Sequence, residues 1–291
     1  MGIKYLNKFL LKTCSPASIY PIQLHELKYK TLVIDTSIYL YKFAAADNQI
    51  IPKFGLLLSI LKEYQITPIF IFDGKPPQEK KSLLIQRLIE KKKAEETYHS
   101  LLNETNENTE QMKRLKNQFI KITENDIQSV KELFHENNIT YHVSPKEADS
   151  LCVLFVKHGL ADACLSDDMD MFLYGCKCVL RELNIDTRSV MVYHTDMILQ
   201  DLNMSQTDFT DIMILSGTDY NIDNTVNLYT TMKLYKRYKN DRRTKKTFYE
   251  WLLHYTNYIN QYERLLSIKN MFCLDSHNLP VNNSSSLRCE K

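Results

Sequence analysis

No stretch of this chain approaches the eighteen or so consecutive apolar residues that a membrane-spanning helix needs. The opening Met1–Lys12 has no uninterrupted apolar core either, because lysines at 4, 8 and 12 break it, so no secretory signal is expected. Leu6 stands where N-myristoylation wants Ser or Thr. An excess of one charge is also missing: 37 Lys and Arg against 35 Asp and Glu leave a formal net charge of +2. Any affinity for a polyanion must therefore come from where the charges lie. The seven cysteines (Cys14, Cys152, Cys164, Cys176, Cys178, Cys273, Cys289) are odd in number and sit mostly in apolar stretches, which argues against a secreted disulfide framework. Cys176-Lys-Cys178 has no second pair at zinc-finger spacing, so no zinc site is expected. There is no internal repeat. These absences leave a soluble intracellular protein, with nucleus and cytoplasm both open. At 291 residues and 44% hydrophobic content it can build one large or two modest domains.

The patterning is that of an α/β fold. Residues 31–35 and 67–73 are short β-rich runs separated by a helical stretch from about 53 to 64, a β-α-β rhythm. Lys75-Pro-Pro77 then breaks regular structure, and the chain to about 121 is polar, charged and weakly periodic. Leu83, Leu84, Arg87, Leu88 and Lys91 share a possible helix there, and 103–117 offers hardly any core face. Thr123 is a candidate N-cap for a helix that buries Ile127, Val130, Leu133 and Phe134. A strand at 139–143, a helix from Glu147 to His158 closed by Gly159, strands at 178–183 and 189–194, and helices capped by Thr195 and Thr207 follow. This alternation predicts a mostly parallel sheet flanked by helices.

The acidic residues carry the chemistry. Asp35 closes Thr31-Leu-Val-Ile-Asp35, and Asp73 closes Pro68-Ile-Phe-Ile-Phe-Asp73-Gly74. Glu147 and Asp149 open a helix, Asp168 and Asp170 end a strand in Ser166-Asp-Asp-Met-Asp170, and Asp219 ends a helix in Ser216-Gly-Thr-Asp219. In a parallel α/β sheet the strand ends open onto one crevice where ligands bind. Seven carboxylates gathered there would repel one another unless a divalent metal neutralised them. Paired metals are used to cleave phosphodiesters, so the chain reads as a metal-dependent nuclease. Asp167, alternating outward, is expected to be structural, and His142 and His194 to be packing residues.

These motifs, in this order, resemble the flap endonuclease or XPG-type family of structure-specific 5′ nucleases over about residues 1–220. Met1-Gly-Ile starts the chain as in the family, where Gly2 is built into the site. Asp35-Thr-Ser-Ile-Tyr-Leu-Tyr41, Phe72-Asp-Gly-Lys-Pro-Pro77, Asp168-Met-Asp170 and Ile214-Leu-Ser-Gly-Thr-Asp-Tyr220 match its acidic motifs. Glu147-Ala-Asp149 stands where the family has Glu-Ala-Glu. The resemblance implies a PIN-like nuclease core and two Mg²⁺ ions, replaceable by Mn²⁺, held by Asp35, Asp73, Glu147, Asp149, Asp168, Asp170 and Asp219. It implies that Lys80 and Arg87, on one face of a gateway helix, reach the scissile phosphate, and that Tyr41 stacks on the adjoining base. The product would carry a 5′-phosphate.

The chain departs from the family after Asp219. The family's Gly-Ile-Gly hairpin is replaced by Asn221-Ile-Asp-Asn-Thr-Val-Asn227, which has no glycine. A basic run follows (Lys233, Lys236, Arg237, Lys239, Arg242, Arg243, Lys245, Lys246), interleaved with Tyr235 and Tyr238, that can supply phosphate contacts instead. No sliding-clamp motif is visible, and a compact monomer of the kind large DNA viruses carry is expected. The expected organisation is core at 1–73 and 123–220, helical gateway at 74–122, helical C-terminal region at 221–275 and disordered tail at 276–291. Expected substrates are 5′-flap, gapped or nicked DNA. An RNA-directed nuclease and a non-catalytic nucleic-acid scaffold stay open as alternatives.

Overall fold

The computed structural model describes residues 3, 5–46, 49–102, 109–221, 227–241 and 245–274. Seven strands occur among these: β1 (Ile19–Gln23), β2 (Thr31–Asp35), β3 (Thr67–Phe72), β4 (Thr140–Val143), β5 (Ala163–Leu165), β6 (Cys178–Asn184) and β7 (Ser189–His194). They form a mixed sheet in the order β1-β7-β6-β5-β2-β3-β4. β3 with β4 and β5 with β6 are parallel, as an α/β chain predicts, whereas β7 runs antiparallel to both β6 and β1. The predicted 31–35, 67–73, 139–143, 178–183 and 189–194 runs are all strands to within a residue or so; β1 is an addition. No helix of the described residues is long and apolar enough to cross a membrane.

The chain divides into two compact units. One comprises Leu24–Lys30 and Ile34–Ala148. Its core is aromatic: Phe70 of β3 stacks on Phe134 at 4.2 Å, with Phe54 edge-on to both. Phe134 comes from α6 (Glu124–Glu136), begun by a capping box in which Thr123 and Asp126 satisfy each other's backbone N–H groups. Phe54 lies on α3 (Ile50–Glu63), and α2 (Thr36–Ala45) adds Phe43.

The polar stretch after Gly74 is largely helical over its described residues. After a 3₁₀ turn (Gln78–Lys80) come α4 (Lys81–Leu102) and α5 (Thr109–Gln118). Little of α4 is buried beyond Leu83 and Ala94, while Leu84, Ile85, Leu88 and Ile89 face solvent. Two interactions tie this stretch together: Tyr98 sits edge-on to Phe119, and Lys91 Nζ donates to Ile120 O at 3.2 Å.

The other unit comprises Met1–Gln23, Thr31–Val33 and Asp149–Lys291. β1 is the sheet's edge strand, which is where a proline such as Pro21 can be tolerated. The helix α7 (Ala148–Lys157) is buried on most sides and stops at Gly159, whose φ of 71° ends the helix. Thr195 and Thr207 do not cap helices. α9 (Thr195–Leu202) takes His194 as its N-cap, and the Thr195 hydroxyl donates to Cys176 O instead. α10 (Gln206–Leu215) is capped by Ser205, which accepts the Asp208 N–H. Around α10 pack α11 (Leu228–Asn240), α12 (Phe248–Tyr255) and α13 (Tyr262–Met271). Lys269 of α13 pairs with buried Asp211 of α10 at 2.7 Å, and Tyr249 OH donates to Asp211 O at 3.0 Å.

Cys152, Cys164 and Cys176 are buried free thiols, and Cys273 is exposed. Burial pushes the Cys14 and Cys178 thiols up to about 11 and about 12, which makes them poor nucleophiles. Cys289 and the predicted tail lie outside the described residues.

Candidate active site

In the unit built on β3 and β4, three of the expected site residues meet. Asp73 follows β3 directly, and Gly74 turns the chain so closely past Ser144–Lys146 that its N–H donates to Lys146 O at 2.6 Å. A side chain at Gly74 has no room: its Cβ would lie 1.9 Å from Ser144 O. This close approach brings Asp73 beneath the start of α7, where its Oδ1 accepts the Ala148 N–H at 2.7 Å. A carboxylate at a helix N-terminus is favoured by the unpaired N–H groups and by the helix dipole. Glu147, one residue earlier, accepts from Lys80 Nζ at 2.7 Å.

Lys80 is not on the same helix as Arg87. It ends the 3₁₀ turn that Pro76-Pro77 leads into, one residue before α4, and its side chain is 8% exposed and seated on Glu147. Arg87 lies on α4 and is half-buried. Asp35 is the N-cap of α2, its Oδ1 accepting the Ser37 N–H at 3.2 Å, and is itself buried. Tyr41, further along α2, is 42% exposed, with Lys91 Nζ 5.2 Å above its ring.

The second unit holds the other four carboxylates. Asp149 is in the first turn of α7. Asp168 and Asp170 do not end a strand: β5 stops at Leu165, Asp168 stands in the following turn, and Asp170 opens the one-turn helix α8 (Asp170–Leu173). Their spacing is tied locally, since Asp168 N–H donates to Ser166 Oγ at 3.2 Å and Asp170 N–H to Asp168 Oδ1 at 3.0 Å. Asp167 is structural as expected, its Oδ1 accepting the Glu182 N–H at 2.7 Å. Asp219 lies beyond the end of α10, in a turn made by Gly217 at φ 103° and closed by Asn221, whose Oδ1 accepts from Thr218 N–H and Oγ1, both at 2.7 Å. Within either unit, no three acidic, His or Cys side chains among the described residues converge tightly enough to enclose an ion as they stand.

The donor set nonetheless suits a hard divalent cation. It is all carboxylate, with no thiol or imidazole among the seven. Glu147 Oε1 is presented to a cation already, the Lys80 ammonium.

Of the basic run, Lys233, Lys236 and Arg237 lie at i, i+3, i+4 on the exposed face of α11, and Lys245 is also exposed. Lys239 bends toward Asp208 at 4.0 Å, and Lys246 is half-buried, its carbonyl accepting from Tyr238 OH at 3.0 Å. The interleaved tyrosines turn inward. Tyr235 OH donates to Asp208 Oδ2 at 2.9 Å, and burial pushes its pKa upward. Tyr238 packs on Phe248 and Trp251. Tyr229, four residues before Lys233, is the exposed aromatic of that face. Gly2, Arg242, Arg243 and most of the 221–227 segment lie outside the described residues.

Two models of one family match the chain: the XPG N-terminal domain over residues 1–95 and the XPG I-region over 138–219. Together they cover more than half of it and contain all seven carboxylates. Flap endonuclease 1 of Plasmodium vivax is 30% identical over 251 residues, covering 76% of this chain and 40% of the relative. Flap endonuclease 1 of Methanococcus aeolicus is 31% identical over 216 residues, covering 69% of this chain and 66% of the relative. The chain thus spans less than two thirds of the length of the curated relatives it matches. Among solved structures, the catalytic core of Rad2 in complex with DNA substrate has a TM-score of 0.68 at 19% identity, covering 96% of this chain and 89% of that one, which shows a shared fold.

Proposed function

We propose, from the premise that this chain belongs to the XPG family of flap endonuclease-type nucleases, that it is a metal-dependent, structure-specific 5′ nuclease acting on DNA with 5′ flaps or free 5′ ends. The observation that carries the proposal is positional. Every acidic residue of the family's order stands at an end of a strand or helix or in the turn that follows one, and four of them, Asp35, Asp73, Glu147 and Asp168, accept a backbone or lysine N–H on the carboxylate.

Asp35, Asp73, Glu147, Asp149, Asp168, Asp170 and Asp219 would hold two Mg²⁺ ions. When bound, such ions lower the pKa of an attacking water and offset charge on the scissile phosphate. The chain's own residues supply the rest. Asp73, with one oxygen fixed by Ala148 N–H, is held in a single orientation. Lys80 keeps Glu147 in place and sets a positive charge beside it, where charge growing on a phosphate is stabilised without reorganisation. Arg87 adds a guanidinium suited to bidentate phosphate contact, and Tyr41 offers an exposed ring for stacking. Lys233, Lys236 and Arg237 give the duplex a sequence-independent grip. The product carries a 5′-phosphate.

A second reading, an RNA-directed nuclease on the same core, is favoured by the absence of glycine from 221–227, because close backbone approach to duplex DNA uses glycine. Cleavage of matched 5′-flap DNA, gapped duplex and RNA with Mg²⁺, side by side, separates the two. Asp73→Ala and Asp168→Ala should each lose several orders of magnitude in turnover while still binding substrate. Wild-type cleavage by either variant sinks the site assignment.

A further inference from the structure

The turn that carries Asp168 hangs on β6. After β5 the chain runs Ser166-Asp167-Asp168, and three consecutive residues of β6 grip it. Ser166 N–H donates to Leu180 O at 3.0 Å, Arg181 Nη2 donates to Asp167 O at 2.9 Å, and Glu182 N–H donates to Asp167 Oδ1 at 2.7 Å. The last bond depends on an irregularity. The pairing of β6 with β7 shifts register between Arg181 and Asn184, and Glu182 takes a φ of 57°. Bulges of this kind re-aim strand groups and are over-represented beside active sites, and a left-handed glutamate is uncommon enough to call for a reason.

Arg181 is the centre of the arrangement. It is only 7% exposed, yet it touches no carboxylate among the described residues. Nη1 donates to Asn7 Oδ1 at 2.7 Å, Nη2 to the Asp167 main chain, the guanidinium lies 5.3 Å over the Tyr193 ring, and Nε is buried without a hydrogen-bond partner. A buried guanidinium held by neutral acceptors alone costs stability relative to an apolar side chain. Asn7, on α1 (Leu6–Thr13), completes the seat: its Oδ1 also accepts from Tyr193 OH at 2.7 Å, and its Nδ2 donates to Glu182 Oε1 at 3.1 Å. A closed relay therefore runs from α1 through Arg181 to the peptide next to Asp168. Because Asp170 N–H is bonded to Asp168 Oδ1, a shift of that peptide moves both carboxylates.

We propose that Arg181, seated by Asn7, is a positioning residue for the Asp168–Asp170 pair and sets the pair's affinity for a divalent cation. The guanidinium fixes the peptide on which Asp168 stands and keeps a positive charge under an acidic turn. The proposal rests on the metal-nuclease reading above. Outer partners that orient metal-binding side chains cost about 10–100-fold in metal affinity or activity when changed.

The test is Mn²⁺ binding by the full chain without nucleic acid, followed by electron paramagnetic resonance, beside thermal melting of the metal-free protein. Arg181→Lys keeps the charge but loses the planar fork whose two nitrogens reach Asn7 and Asp167 O separately, so Mn²⁺ affinity should fall by about 10-fold or more. Asn7→Ala should weaken it in the same direction, and Asn7→Asp combined with Glu182→Gln, which keeps an acceptor for both donors and exchanges the amide and carboxylate of the 3.1 Å pair, should restore it. If Arg181→Lys and Asn7→Ala melt earlier but bind Mn²⁺ as the wild type does, Arg181 is structural only and the proposal falls. Should Arg181→Lys fail to fold, the Asn7 pair decides by the same criterion. If the wild type binds no Mn²⁺, or Asp168→Ala binds it equally well, the nuclease reading falls and the relay with it.

Discussion

Gly74→Ala is the smallest change that should disable this protein. A Cβ at that position would sit 1.9 Å from Ser144 O and 3.0 Å from two further backbone atoms of Ser144 and Pro145, where ordinary contact begins at 3.4 Å. The obstacle is main chain and cannot rotate aside, so the two segments must part by about 1.5 Å, the difference between those two distances. The bonds that fail lie on either side: Gly74 N–H to Lys146 O at 2.6 Å, then Ala148 N–H to Asp73 Oδ1 at 2.7 Å. A misplacement of about 1 Å at reacting groups costs on the order of 100-fold in rate. Turnover of a 5′-flap DNA with Mg²⁺ should therefore fall about 100-fold, and overpacking should remove about 1–3 kcal/mol of stability. Gly55→Ala is the matched control. It lies within α3 with nothing within 4 Å of the new Cβ, so it should add up to about 1 kcal/mol and leave cleavage unchanged. Single-turnover cleavage and calorimetric melting of the two variants read both effects. Wild-type cleavage by Gly74→Ala would refute the claim that this close approach sets Asp73.

Limited trypsin digestion should cut first between Gly74 and Lys121, because α4 and α5 bury so few side chains, and bound substrate should protect the region; resistance without ligand would remove the gateway role. Replacing Lys233, Lys236 and Arg237 together by Gln should lower the log–log salt slope of duplex binding by up to roughly 2.7, about 0.9 for each phosphate that is no longer neutralised. An unchanged slope would make α11 a solvated face. Burial raises the Asp211 pKa despite the neighbouring Lys269, so the folded state holds a proton that the unfolded state releases. Stability should therefore decline as pH rises from about 4, the ordinary carboxylate value, through the raised one. Asp211→Asn should flatten that decline in urea titrations, and a steeper decline would contradict the sign.

Much of the fold was legible because buried runs that end in a charge announce both a strand and its end. Thr31–Asp35 and Thr67–Phe72 do so, and Thr123 with Asp126 announces α6. β1 was hidden by Pro21, which argues against a strand unless the strand is at an edge, and edge position is a tertiary fact. α8 escaped because four residues carry no periodicity. The caps at Thr195 and Thr207 failed because any threonine before an apolar run resembles a cap; the hydroxyl of one is taken by Cys176 O, and Ser205 pre-empts the other. Among the proposed site residues, the places of Asp35 and Asp73 at strand ends and of Glu147 and Asp149 at a helix start were legible, whereas the turn that carries Asp168 and the seating of Lys80 on Glu147 through a 3₁₀ turn are not revealed by motif spacing. The Asn7–Arg181 bond joins residues 174 apart, and no local pattern marks either partner.

The antiparallel pairing of β1 with β7 also imposes a delay on synthesis. Tyr20 meets His194 across 174 residues of chain, and at about 5–20 residues per second a ribosome needs roughly 9–35 s to deliver them. In that interval residues 34–148 emerge in full and can collapse around Phe54, Phe70 and Phe134, while the first strand waits with its ladder groups open. A waiting strand is a template for the wrong neighbour. This one is five residues long and lacks an N–H at its middle position, Pro21, so a stray chain gains little by adding to it. The proline that obscures β1 in the sequence thus also leaves one fewer ladder donor open during that wait.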